Sequence, residues 1–140
     1  MPKNKPLKLV IDTNLWISFV ISNKWAVLDN LLYASKIRIL FSEELIEEIK
    51  QVITKPKLKK YFGTNAMEEM LYSFEPFIDF VDVKSVVKLC RDPKDNFLLT
   101  LAKDGHADYL ITGDNDLLEL KSIGKTQIIT IKMFLEKVKS

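Results

Sequence analysis

The stretch Lys8-Leu9-Val10-Ile11-Asp12-Thr13-Asn14 decides the fold of this chain. It contains an uninterrupted apolar run, which is typical of a strand buried on both faces of a parallel sheet. The run ends abruptly at Asp12, and no arginine stands nearby in sequence to pair with this carboxylate. Because an unpaired buried charge is costly, Asp12 must be hydrogen-bonded, paired or metal-bound. The stretch therefore predicts a buried strand that ends at a candidate functional acid.

Short apolar runs alternate with longer helical patterns along the rest of the chain. The strands are predicted at residues 8–12, 37–41, 80–83, 108–112 and 127–131. The helical patterns cover residues 16–20, 25–32, 42–53, 64–77, 92–105 and 132–139, with a lysine-rich turn at 55–60. We expect one domain over residues 1–140, folded as a three-layer α/β/α sandwich around a central, mostly parallel five-stranded sheet. Ligands of such sheets bind beyond the carboxyl ends of the strands.

The composition excludes several classes of protein. Hydrophobic residues make up 47% of the 140 residues and charged residues 29%, and the net charge of +2 argues against a tail-driven nucleic-acid binder or a disordered chain. The lone Cys90 and the lone His106 exclude an internal disulfide, a Cys/His zinc site and a histidine-based triad. The longest apolar runs are too short to cross a bilayer. We therefore expect a cytoplasmic protein with no membrane partner.

Acidic residues gather where predicted strands end and helices begin: Asp12, Glu48, Asp92, Asp95, Asp114 and Asp116. Each of them alone could be a helix cap, a turn residue or part of a solvated face. Glu48 is the glutamate of its helix closest to the apolar face. If these acids lie close together, they repel one another. Two carboxylates about 5 Å apart repel by roughly 3 kcal/mol at an effective dielectric near 20, and a cation between them relieves this repulsion. Carboxylate ligands without His or Cys favour Mg²⁺ or Mn²⁺ over zinc.

With these acids in order, the sequence resembles the PIN domain family from Leu9 to about Phe134. The resemblance is closest to the bacterial and archaeal branch of toxins from toxin–antitoxin pairs. It rests on the order and spacing of several stretches rather than on any single one. These stretches are Val10-Ile11-Asp12-Thr13-Asn14, Ser42-Glu43-Glu44-Leu45-Ile46-Glu47-Glu48-Ile49, Asp92-Pro93-Lys94-Asp95-Asn96 and Ala107-Asp108-Tyr109-Leu110-Ile111-Thr112-Gly113-Asp114-Asn115-Asp116-Leu117-Leu118.

The resemblance implies a Mg²⁺- or Mn²⁺-dependent endoribonuclease that hydrolyses RNA. Hydrolysis by metal-activated water, without attack by the ribose 2′-hydroxyl, predicts products with 5′-phosphate and 3′-hydroxyl ends. The family's catalytic acids fall on Asp12, Glu48, Asp95 and Asp114. Its metal ligands fall on Asp12, Asp95 and Asp114, with Asp116 as a helper. Thr112 matches the family's hydroxyl residue near the metal, and Asn14 matches the polar residue after the first acid. Of the two acids Asp92 and Asp95, many relatives match only Asp95. A small antitoxin protein and self-association, as a homodimer or larger homo-oligomer, are the implied protein partners.

Three other classes of protein share part of this pattern. Haloacid dehalogenase phosphatases need a second aspartate where this chain has Asn14, and receiver domains need a phosphorylated aspartate at the end of a middle strand. A non-catalytic domain that binds RNA or a protein would also have this fold. The complete acid set argues against the non-catalytic alternative, and loss of metal-dependent cleavage in an Asp12→Asn variant would separate the two.

A lysine cluster forms a second motif, with Lys55, Lys57, Lys59 and Lys60 preceding Tyr61 and Phe62. Such a cluster can contact RNA phosphates while an aromatic ring stacks on a base. The other interpretation is a solvated turn. His106 follows Gly105 where a helix is predicted to end, so helix termination accounts for it better than catalysis does. Trp16 and Trp25 are assigned to core packing, with a dimer surface on their helices as the alternative that the resemblance implies.

Overall fold

The computed structural model describes residues 5–22, 26–34, 36–63, 65–89 and 95–139. Within these ranges six strands form one sheet: β1 Leu7–Ile11, β2 Ile37–Phe41, β3 Ile78–Phe80, β4 Tyr109–Ile111, β5 Ser122–Ile123 and β6 Thr126–Ile129. Their order is β3-β2-β1-β4-β6-β5, and every pairing is parallel except the antiparallel β5–β6 pair. The sequence prediction of a mostly parallel sheet is confirmed.

The order of the strands reverses at the centre of the sheet. The chain starts at β1, moves outward through β2 to β3, and then returns to place β4 on the other side of β1. The register pairs Leu9 with Tyr109 and Ile11 with Ile111, so that Asp12 and Thr112 follow at adjacent carboxyl ends. This gap between β1 and β4 is the topological switch point, where open α/β sheets bind their ligands.

Helices flank the sheet in the described residues: α1 Thr13–Ser22, α2 Ala26–Tyr33, α3 Glu43–Ile53, α4 Pro56–Lys59, α5 Ala66–Phe74, α6 Asn96–Asp104, α7 Asn115–Leu118 and α8 Ile131–Lys139. Leu9, Val10 and Ile11 of β1 are each fully buried. Because successive side chains of a strand point to opposite faces, both faces of the sheet are covered. The three-layer arrangement predicted from the sequence is thus confirmed.

The core continues from the sheet into the first helices. Trp16 of α1 is fully buried and packs against Phe41 at 5.1 Å and Phe74 at 5.5 Å between ring centroids. This confirms its assignment to the core. Burying one such large apolar side chain contributes roughly 1.5–3 kcal/mol. Trp25, Cys90 and Asp92 lie outside the described residues.

Several predicted boundaries differ from those observed. The predicted third strand at 80–83 lies instead at 78–80, because Arg38 bonds the Pro76 and Ile78 carbonyls and the Asp79 carboxylate and so docks this segment on β2. The lysine-rich turn contains one helical turn, α4. The 64–77 helix is shorter than predicted, because α5 ends at Phe74 and a 3-10 turn follows.

The sheet has six strands rather than the predicted five. The additional strand, β5, has only two residues and pairs with β6 across the turn Gly124-Lys125. Gly124 has a φ of +55°, which glycine adopts without steric cost. The glycine was a visible signal, but a strand of two residues shows no alternating pattern in the sequence.

Candidate active site

Asp12 is a buried carboxylate, with 7% of the residue exposed, directly after β1. One carboxylate oxygen accepts a hydrogen bond from the Leu15 amide at 2.8 Å, so that Asp12 also caps α1. The other oxygen accepts a hydrogen bond from the Thr112 hydroxyl. The apolar strand, the helix start and the neighbouring strand end therefore hold this carboxylate in one orientation.

Thr112 connects Asp12 to Asp114. Its hydroxyl donates to Asp12 and accepts from the Asp114 amide at 3.0 Å, and Thr112 itself is 1% exposed. Asp114 then caps the short helix α7 by accepting from the Asp116 amide at 2.9 Å. The second acid thus occupies a defined place at the end of β4, next to the first.

The electrostatics of this pair oppose ionisation of Asp12. Burial raises the pKa of the Asp12 carboxyl above its ordinary value, and the charge of Asp114 raises it further. Hydrogen bonds from Thr112 and from the amides of Leu15 and Gly113 lower the pKa in part. The net direction is upward, as expected for a buried carboxylate beside another acid. A cation bound here would reverse this effect.

The glutamates of α3 line a separate cleft of about 500 Å³ with Gln51 and Phe97. Ser42 begins the helix as predicted, and its hydroxyl accepts from the Leu45 amide at 3.2 Å. Glu48 is half-buried, whereas Glu43, Glu44 and Glu47 are exposed. This confirms that Glu48 is the acid closest to the buried side. Because Phe97 lies in the first turn of α6, the cleft runs between α3 and the start of that helix.

Asp95 stands immediately before α6 and is half-buried. Its side chain makes no capping hydrogen bond, so the helix-cap interpretation does not account for it. Asp116 is also half-buried, and Asn14 is exposed on the first turn of α1. These residues lie at helix starts, as the sequence indicated.

The structure brings together Asp12, Thr112 and Asp114, but not all the predicted acids. Among the described residues, no three Asp, Glu, His or Cys side chains are close enough to hold a metal ion jointly. Magnesium commonly binds through one or two carboxylates and keeps several waters, so a pair of acids satisfies its needs. The all-oxygen donors and the buried Asp12 beside Asp114 fit Mg²⁺ or Mn²⁺.

Sequence reasoning did not identify Gln51 and Phe97 as lining the acidic cleft. Gln51 is three residues after Glu48, a spacing that places both on one side of a helix. That signal was available, whereas the approach of Phe97 depends on how α6 packs beside α3.

The comparisons with known proteins agree with this fold. The family model described as "PIN domain" matches residues 8–116. An uncharacterized protein of Methanocaldococcus jannaschii is 33% identical over 123 residues, covering 85% of this chain and 78% of that protein. The structure of the PIN domain of human SMG5 superposes with a TM-score of 0.50 at 11% identity, covering 94% of this chain and 98% of the other. This chain belongs to the PIN domain family.

Membership of this family supports a nuclease or RNA-related role in general terms. The likeness to the SMG5 domain concerns the fold alone, given the low identity. None of the helices in the described part of the chain is long and apolar enough to cross a membrane.

Proposed function

We propose that this protein is a Mg²⁺- or Mn²⁺-dependent endoribonuclease that hydrolyses phosphodiester bonds of RNA. The observation that carries the proposal is the buried Asp12 carboxylate beside Asp114 at the switch point of the sheet. Burial opposes the charged form of the Asp12 carboxylate, the Asp114 charge adds to this effect, and a bound divalent cation would offset both. Each acid also caps a helix, but capping alone does not require two carboxylates at adjacent strand ends.

Asp12 and Asp114 would hold the ion, with Asp95 and Asp116 contributing through water. When bound, such an ion supplies Lewis acidity toward a phosphodiester and lowers the pKa of a water molecule. Thr112 keeps the Asp12 carboxylate turned toward the gap between β1 and β4 through its hydroxyl. Glu48, half-buried on α3, would orient the attacking water or complete the site.

Cleavage of a labelled single-stranded RNA, with analysis of the product ends, tests this proposal. We expect cleavage with Mg²⁺ or Mn²⁺, none with EDTA, and products with 5′-phosphate and 3′-hydroxyl ends. Asp12→Asn and Asp114→Asn should abolish it, whereas Asp82→Asn, an exposed acid outside the site, should not. Ends with 2′,3′-cyclic phosphate would contradict the mechanism. Metal-independent RNA binding without products would favour a non-catalytic binding domain.

The proposal extends to a cytoplasmic toxin that is neutralised by a small antitoxin protein. Induced expression in a bacterial host should then arrest growth, and the Asp12→Asn variant should not. Co-expression of a small neighbouring reading frame should restore growth and co-purify with the protein. If the protein cleaves RNA but its expression leaves growth unaffected, the toxin role is contradicted and the nuclease function stands. Self-association is tested by the mass of the purified protein in solution.

A further inference from the structure

A strongly basic surface lies after the carboxyl-terminal end of α3. We call the side chains of Lys55, Lys57, Lys59, Lys60 and Tyr61 the lysine surface, and all of them are exposed. The sequence contains no acidic residue between Glu48 and Glu68. No carboxylate of the described residues forms an ion pair with these lysines. Their charge is therefore not neutralised by the protein.

The lysine surface is fixed to the body of the protein. Pro56 lies in the first turn of α4, where its ring favours the helical backbone. Leu58 and Phe62 are half-buried and pack against the hydrophobic core, and α4 packs beside α3. These anchors hold the lysines on the outer side, so that a ligand would meet an already ordered surface.

The chemistry of the lysine surface suits single-stranded RNA. The Tyr61 residue is 52% exposed, and the Lys60 ammonium lies 5.2 Å from the centroid of its ring. A base stacks on such a ring only when it is not already stacked in a duplex, and lysines beside the ring attract the adjoining phosphates. A solvated turn has no need of an exposed ring beside four unpaired cations.

The lysine surface lies at the opposite end of α3 from the edge of the sheet that carries Asp12. Helix α3 begins directly after β2, at the carboxyl edge of the sheet, and its 11 residues make it about 16 Å long. The lysine surface follows the far end of this helix. It therefore cannot contact the phosphate that is cleaved near Asp12, and an RNA that reaches both must extend over several nucleotides.

We propose that the lysine surface is a subsite that holds single-stranded RNA at a distance from the cleavage site, with Tyr61 stacking on one base. The inference rests on the proposed nuclease function and adds where its substrate is held. The lysines supply affinity for the backbone that does not depend on sequence. The surface should thus act on substrate binding rather than on the chemical step.

The binding arm uses the Asp12→Asn variant without divalent metal, so that its outcome does not depend on cleavage. The probe is a fluorescent adenine-rich RNA of about 20 nucleotides, longer than a typical single-strand binding site. Replacing Lys57, Lys59 and Lys60 by Ala should lower the slope of log Kd against log salt by about 2, at about 0.7 for each lost contact. Tyr61→Ala should weaken binding about tenfold, and Tyr61→Phe should not.

A matched control replaces the same number of lysines elsewhere. Lys88, Lys103 and Lys125 are exposed and line a different groove, so changing them to Ala alters the net charge equally. We expect the control to keep the wild-type salt slope. Equal slopes for both triple variants, or an unchanged slope for the first, would overturn the proposal.

The cleavage arm separates binding from chemistry in the otherwise wild-type protein. On the long RNA, the Lys57/Lys59/Lys60 variant should have a KM at least tenfold higher and an unchanged kcat. A fall in kcat with an unchanged KM would overturn the proposal. If the wild-type protein binds through the lysine surface but cleaves nothing, the nuclease function fails while the RNA-holding surface stands.

Discussion

At the residue scale, Asp12 combines two roles that usually fall to different residues. It caps α1 through the Leu15 amide, and it directs its other oxygen toward Thr112 and the end of β4. Its importance was evident from the sequence, because a carboxylate that ends an apolar strand needs a partner. The family resemblance placed Thr112 near the metal, but only the structure shows that this residue, 100 positions away, is the partner of Asp12. Local patterns do not report contacts of that range.

The raised pKa of Asp12 determines how stability varies with pH. The folded protein binds a proton at this site more tightly than the unfolded chain does. In EDTA, the contribution of Asp12 to stability therefore falls as the pH rises from about 4 through the folded-state pKa, and then levels off. Asp12→Asn removes this effect and keeps a good N-cap. The variant should gain stability relative to the wild type as the pH rises.

Thermal unfolding between about pH 4 and pH 8, in EDTA, checks this expectation. Asp82→Asn is the control, because Asp82 is exposed and makes only a 3.7 Å surface ion pair with Lys84. Its stability relative to the wild type should change little with pH. An Asp12→Asn variant that loses the same stability at every pH would show that the carboxylate is only a structural cap.

At the element scale, the sequence predicted strands and helices well where burial alone determines them. The second strand was predicted at its observed bounds, and the helix after Ser42 begins with the predicted cap. The misplaced third strand depends on Arg38 docking this segment at a sheet edge, which is a tertiary contact. The same limit applies to the acids: their helix positions were predictable, but the distances between them depend on packing.

Close packing at the end of α6 requires a glycine at position 105, and the sequence alone did not reveal this requirement. At the end of α6, the left-handed backbone conformation is adopted by His106, with a φ of 54°, and not by Gly105. A Cβ on Gly105 would lie 2.6 Å from Leu40 Cδ1 and 3.0 Å from both the Leu101 oxygen and Val81 Cγ2. The glycine is therefore needed because the end of α6 packs closely on the sheet.

Replacing Gly105 by Ala should destabilise the protein by about 1–3 kcal/mol, the usual cost of overpacking. The midpoint of urea unfolding measures the effect. Gly63→Ala is the matched control, because within the described part of the chain no atom beyond its sequence neighbours lies within 4 Å of a Cβ there. We expect this control to stay within about 0.5 kcal/mol of the wild type. Equal midpoints for the two variants would contradict the packing explanation.

The segment after β3 is tied to α6 by Asp104. This carboxylate accepts hydrogen bonds from the Lys84 amide at 2.6 Å and the Ser85 amide at 2.8 Å. Hydrogen bonds from the Ser85 side chain and from these amides lower its pKa to about 2. The carboxylate therefore stabilises the fold above about pH 4, and this contribution is lost as the pH falls toward 2.

Asp104→Asn should lower the free energy of unfolding by about 1 kcal/mol at neutral pH, after allowance for screening by solvent. The difference from the wild type should shrink below about pH 4. Urea unfolding at several pH values measures it. A difference that is constant with pH would show that the ionised carboxylate is not responsible.

At the scale of the whole molecule, the order of the strands creates the site. The two central acids are 102 positions apart, at Asp12 and Asp114, and meet because β1, which pairs with β2 on one side, pairs with β4 on the other. Composition and periodicity predicted a parallel sheet, but they did not determine which strands are neighbours. The family resemblance implied the α/β/α fold but gave no strand order, so the neighbours of β1 are known only from the structure.

The central claim is that Asp12 and Asp114 bind a divalent metal ion, and calorimetric unfolding with and without Mn²⁺ or Mg²⁺ tests it most directly. Metal bound only to the folded state should stabilise the wild-type protein by about 2.7 kcal/mol at a hundredfold excess over the dissociation constant. Asp12→Asn and Asp114→Asn should show no such gain, while Asp82→Asn should gain as much as the wild type. A wild-type melting temperature that neither ion changes at millimolar concentration, or an equal gain in the Asp12→Asn variant, would contradict the claim.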